Sequence, residues 1–75
     1  MENIYLIKDL SQKSGLSVYT VKYYLNMGLL KEIGRSPDTN FRYFDDSSLR
    51  RLLEIRKMRK RNLSIKEIAG RLGNN

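Results

Sequence analysis

Residues 17–24 read SVYTVKYY, a serine followed by three tyrosines, two valines, a threonine and a lysine. Read as a helix capped by Ser17, the stretch sets Val18 and Val21, with Leu25 after them, at i, i+3 and i+7 on one apolar face. The opposite face then carries Tyr19, Thr20, Lys22, Tyr23 and Asn26, each able to donate a hydrogen bond. Tyr24 falls at the border between the two. The rotation of this helix decides the fold around it, and the use of its polar face decides what so small a chain does.

Working outward, Ile7 to Ser14 has the spacing of a short helix ending at Gly15, and Gly28 ends the helix that Ser17 begins. Two short helices around a tight turn containing glycine make a helix-turn-helix pattern, although such hairpins of helices are common in small domains. Helical spacing then stops from Leu29 to Asp46. Lys31 to Ile33 and Asn40 to Phe44 are strand-like, and the turn-forming GRSPDTN at 34–40 lies between them, which predicts a β-hairpin with Arg35 at its tip. Alternation would set Phe41 and Tyr43 on one face and Arg42 and Phe44 on the other. One aromatic set would pack beneath the hairpin, leaving Arg42 free to reach a phosphate or a minor groove unless it stacks on its aromatic neighbours.

Asp45 or Asp46 then caps a longer helix in which Leu49, Leu52, Ile55 and Met58 step by three. Asn62 suits the left-handed residue that ends a helix, and Ser64 with Glu67 has capping-box spacing for a last helix turning Ile65, Ile68 and Leu72 inward. The fold class is mainly α, a winged helix-turn-helix: helix-turn-helix at about 5–27, wing at about 31–45, and further helices at about 46–61 and 64–72. In that layout the second helix enters the DNA major groove and the hairpin lies along the backbone. The chain, residues 1–75, is expected to be a single domain with no effector domain.

Composition narrows the function classes. A chain of 75 residues buries only about 60% of its unfolded surface, which leaves no room for a deep catalytic pocket. Cysteine and histidine are both absent, so the usual nucleophiles, general bases and zinc or copper ligands are missing. No enzyme, metal site or cofactor is expected. No apolar run reaches the roughly 18 residues that span a bilayer, and the N-terminus shows no basic region followed by an apolar core and cleavage site, so a soluble, cytoplasmic protein is expected. Fifteen lysines and arginines against eight acids give a formal net charge of +7. That surplus points to a polyanion, nucleic acid before a membrane surface, with simple solubility as the plainer explanation.

The charge is distributed unevenly. No acid occurs from residue 10 to residue 31, and a merely solvated face would more often mix signs. Lysine on the second helix can reach phosphate or the acceptor edge of guanine, tyrosine hydroxyls can bond phosphate oxygens, and a threonine methyl can meet that of thymine. The third helix holds Arg50, Arg51, Arg56, Lys57, Arg59, Lys60 and Arg61 against Glu54 alone. These spread around the cylinder, so two or three are expected to meet phosphate while the others supply long-range attraction.

GLSVYTVKYYLNMGLL, followed by FRYFDDSSLRRLLEIRKMRKRNLSIKEI, resembles the N-terminal DNA-binding domain of MerR-type transcription regulators from about Tyr5 to Leu72. The resemblance implies a winged helix whose second helix enters the major groove, acting as a dimer on a palindromic operator in a bacterial cytoplasm. Carried over, Lys22 and Tyr23 would hold phosphate or base edges, Arg42 would anchor the wing, and Thr20 and Tyr19 would approach bases. With Ser17, Asn26 and Arg35 these make the expected DNA-binding set. Asn40 and Asn62 stand where glycine is common in the family, and Arg61 stands where an apolar residue is usual.

The chain stops at Asn75, before the dimerisation helix and effector domain of such regulators, so no inducer site is expected in it and alone it should be a monomer or weak dimer. A small architectural protein of the excisionase type shares the pattern and is the alternative. A protein-interaction module is the alternative of another class. It would show a large outer apolar patch, and only Tyr19 and Met27 are expected outside. RNA binding would favour aromatics on an open sheet.

Overall fold

Three of the four helices among the described residues start on a polar side chain that accepts a free backbone N–H, as the termini of an α-helix require. The computed structural model describes residues 3–73, so the first and last two residues of the expected domain lie outside it. Helix α1 (Ile7–Ser14) is followed by α2 (Val18–Asn26), strands β1 (Gly34–Arg35) and β2 (Arg42–Tyr43), α3 (Asp46–Lys60) and α4 (Ile65–Arg71). Ser17 Oγ accepts from Thr20 N at 3.0 Å, Asp45 Oδ1 from Ser48 N at 3.1 Å, and Ser64 Oγ from Glu67 N at 3.1 Å. At α1 the bond runs the other way, from Leu6 N to Asp9 Oδ2 at 2.9 Å.

The exits follow the same economy. Gly15 and Gly28 take φ of 76° and 79°, and Asn40 and Asn62 take 59° and 66°, left-handed values that glycine and asparagine tolerate best. At Gly28 the reversal lets Leu29 N bond Tyr24 O at 3.0 Å and sends Leu29 and Leu30 back into the core. Arg51 Nε donates to Leu29 O at 2.7 Å, tying that turn to α3.

The core forms where α1 packs on both α2 and α3, and α3 on α4. Leu10, Val21, Tyr24, Leu29, Leu30, Phe44, Leu52, Ile55 and Ile68 are buried in one cluster with Tyr5. Phe44 is its largest fully buried side chain. Its backbone also joins the wing to the chain's start: Tyr5 N bonds Phe44 O at 2.8 Å and Phe44 N bonds Tyr5 O at 2.7 Å. The Tyr5 hydroxyl donates to Asp46 Oδ1 at 2.6 Å, which holds the Asp46 carboxyl below its usual range and raises the phenol.

Several expectations are corrected. Val18 is 38% exposed and lies outside the core, while Tyr24, expected at the border, is 5% exposed and inside it. At about 100° per residue, Val18 sits about 120° around the helix from Tyr24, and a buried set centred on Val21 and Tyr24 turns it outward. The first wing strand is Gly34–Arg35 rather than Lys31 to Ile33, and Ile33 is exposed. The second is Arg42–Tyr43, a shorter piece of Asn40 to Phe44. Register is Gly34 opposite Tyr43 and Arg35 opposite Arg42. A Cβ at Gly34 would collide with the Tyr43 hydroxyl and ring, so glycine is what allows this pairing. Arg35 therefore lies in a strand, and the tip is formed by the turn that Asn40 N closes onto Ser36 O at 2.8 Å. The third helix ends at Lys60, with Arg61 as its cap.

Candidate nucleic-acid interface

Helix α2 presents its polar side as its spacing requires once Val21 and Tyr24 are buried. Tyr19 is 81% exposed, and Lys22, Tyr23 and Asn26 are exposed as well. Among the described residues no side-chain hydrogen bond or ion pair engages Tyr19, Lys22 or Asn26, so their donors are available to a partner. Tyr23 leans on Tyr24, with ring centroids 5.8 Å apart and tilted by 54°, so a buried ring braces an exposed one. Ser17 and Thr20 are less available. Their hydroxyls lie 2.9 Å from each other while Ser17 Oγ also caps the helix.

The wing's cations are arranged differently. Glu32, in the connection between α2 and β1, receives Arg35 Nε on Oε2 at 2.6 Å and has Arg42 Nε 3.1 Å from Oε1. The bond from Arg35, with the positive charge of both guanidiniums, holds the Glu32 carboxyl below its ordinary range. Arg42 is thus neither free nor stacked on the wing aromatics; it shares a carboxylate with the residue opposite it in the hairpin. Phe41 beside it is 60% exposed.

Helix and wing meet in one depression lined by Leu6, Ile7, Lys8, Val18, Lys22, Phe41 and Arg42. A second hollow on the other side of Arg42 includes Asn26, Lys31 and Glu32. Three of the eight expected residues line these hollows, Lys22 and Asn26 from α2 and Arg42 from β2; Arg35 is joined to them through Glu32, and Tyr23 is exposed on α2 but lines neither. Tyr19 projects from α2 without joining either hollow, and Ser17 and Thr20 sit at its start.

Sequence reasoning missed Glu32, Leu6, Val18, Phe41 and Lys8. It also missed the exposure of Ile4, Ile33 and Leu53, having expected only Tyr19 and Met27 among the outer apolar groups. Glu32 could have been noticed as the first acid after an acid-free run, three residues before Arg35. The basic residues of α3 are partly committed to the fold. Arg51 bonds Leu29 O, Arg59 Nη1 bonds Leu63 O at 2.9 Å, and Lys57 lies 3.9 Å from Glu54. Among the described residues no helix is long and apolar enough to cross a membrane.

The family described as MerR HTH family regulatory protein matches residues 5–74. The HTH-type transcriptional regulator CueR of Bacillus subtilis (strain 168) is 40% identical over 70 residues, spanning 93% of this chain and 48% of CueR. The crystal structure of HiNmlR, a MerR family regulator lacking the sensor domain and bound to promoter DNA, superposes with a TM-score of 0.79 at 30% identity, covering 88% of this chain and 49% of that one. The transcription regulator PbrR691 from Ralstonia metallidurans CH34, crystallised with lead(II), gives a TM-score of 0.82 at 36% identity over 92% of this chain and 53% of its own. The chain spans about half the length of each of these relatives.

Proposed function

The chain belongs to the MerR HTH family, and from that membership we propose that it binds double-stranded DNA in transcription regulation, with α2 in the major groove and the wing on the backbone. The observation that carries this is the convergence of Lys22 from α2 and Arg42 from the wing on one depression, beside a helix face bearing no acid. Lys22, Tyr23 and Asn26 supply donors for phosphates or base edges, and Tyr19 and Thr20 approach bases. Arg42 and Arg35 neutralise phosphates beside the groove. With a net charge of +7, most of the affinity comes from counterion release and is steeply dependent on salt.

A single copy offers one half-site, so its binding is weak beside that of a dimer, in which a second linked module adds its own contacts. The bound protein belongs in the bacterial cytoplasm, on the nucleoid. HiNmlR, a MerR family regulator bound to promoter DNA, matches this chain over about half of its own length, which supports the DNA-binding reading.

The exposed Leu6, Val18 and Phe41 favour a second possibility, docking of another protein. Their setting among Lys8, Lys22 and Arg42 is better suited to a sugar-phosphate chain than to a dry apolar contact. Titration of the chain with duplex DNA, single-stranded DNA and RNA at one salt concentration tests the DNA reading. Preference for the duplex is expected, and equal or weaker duplex binding would count against the proposal.

A further inference from the structure

Glu32 occupies an unexpected position: an acid inside the surface proposed to meet a polyanion. Its carboxylate accepts from Arg35 Nε at 2.6 Å and forms an ion pair with Arg42, whose Nε lies 3.1 Å away. Those arginines are cross-strand partners, and like charges directly opposite on a hairpin repel. A shared carboxylate between them relieves that repulsion. It also leaves geometry to spare: an arginine has five N–H donors in a rigid fork, and engaging Nε leaves donors on the Nη atoms for a phosphate. Arg35 Nη2 makes only a long 3.4 Å approach to Glu32 Oε1.

We propose that Glu32 is a positioning residue for DNA, holding Arg35 and Arg42 side by side in the wing so that their outer Nη edges grip consecutive backbone phosphates. This rests on the proposed DNA binding. Two opposing effects set its sign. Removing Glu32 makes the wing one unit more positive, which by itself strengthens binding to a polyanion. Removing it also frees two rotamer-rich side chains, whose ordering then opposes association, and each such side chain immobilised weakens binding measurably. The inference holds that ordering outweighs charge.

The test compares Glu32→Ala with Glu32→Gln in the 75-residue chain, binding a short mixed-sequence DNA duplex at one salt concentration. Both substitutions remove the same charge, but glutamine keeps one carbonyl oxygen to accept an arginine. Glu32→Ala is expected to weaken binding about tenfold, the scale of ordering two arginines at the moment of binding, and Glu32→Gln by less. In an Arg35→Ala, Arg42→Ala background, Glu32→Ala should cause no loss.

Binding by Glu32→Ala as tight as that of the parent, or tighter, would overturn the inference, as would an equal loss by Glu32→Ala when both arginines are gone. A parent chain with no duplex affinity would instead overturn the DNA proposal, and this inference with it.

Discussion

Helix α2 and the wing offer positive charge to the same surface by opposite means. On α2, Lys22, Tyr19 and Asn26 stand unengaged among the described residues, displayed by helical period and the Ser17 cap. On the wing, Arg35 and Arg42 are ordered by Glu32, a residue outside both strands. The helix has local means of fixing where its side chains point, because each turn constrains the next. A hairpin whose ladder pairs only two residues on each strand has no such means, and it uses an ion pair instead. An exposed pair is worth little to stability, about 0–1 kcal/mol, so its value lies in orientation.

The largest way to break the comparison is to remove what supports both regions. Phe44→Ala empties a fully buried site at the base of the wing and should cost about 3–5 kcal/mol in denaturant unfolding. That is a large part of the 5–15 kcal/mol that native proteins usually hold. Gly34→Ala should affect the wing alone. The new Cβ meets the Tyr43 ring, so NMR shifts should move along residues 33–43 while those of α2 stay, with weaker duplex binding.

Ser17→Ala is the matching local change on the helix. It removes the bond to Thr20 N and should lower stability by about 1 kcal/mol, with fraying confined to the start of α2. The smallest effect is the dependence of stability on pH, set by carboxylates at the starts of α3 and α4. Asp46 is held low by Tyr5 and Asn3, Asp45 by Ser47 and Ser48, and Glu67 by Ser64. A carboxylate whose folded pKa is depressed stabilises the fold above its unfolded pKa, about 4, and that contribution is lost as pH falls through the folded pKa. Thermal stability should therefore be flat near neutrality and decline in the acid range. Asp46→Asn should make the decline shallower.

Much of this was legible in the sequence, and what was missed has a common cause. Ser17, Asp45, Ser64 with Glu67, Gly15, Asn40 and Asn62 announced the element boundaries because caps and left-handed residues act within a few positions of themselves. The rotation of α2 was only half readable. Val18, Val21 and Tyr24 all suit an apolar stripe, and the packing of α1 and α3 selected the last two. The first wing strand was misplaced at Lys31 to Ile33 because the pairing depends on Gly34 admitting the Tyr43 ring, a contact nine positions apart. The Tyr5 to Phe44 pairing spans about half of the chain and left no local trace. For the candidate interface the residue types were legible on both regions, but the restraint on the wing arginines was not, since Glu32 differs from an ordinary surface acid only in its neighbours.

The most direct measurement is the slope of log K against log salt for duplex binding by the parent chain and by Lys22→Ala. The parent should lose affinity steeply as salt rises. Lys22→Ala should fold normally, bind more weakly and show a slope smaller by about one unit, the share of one phosphate contact. A flat response in the parent, or an unchanged slope and affinity in Lys22→Ala, would contradict the assignment of this face to DNA.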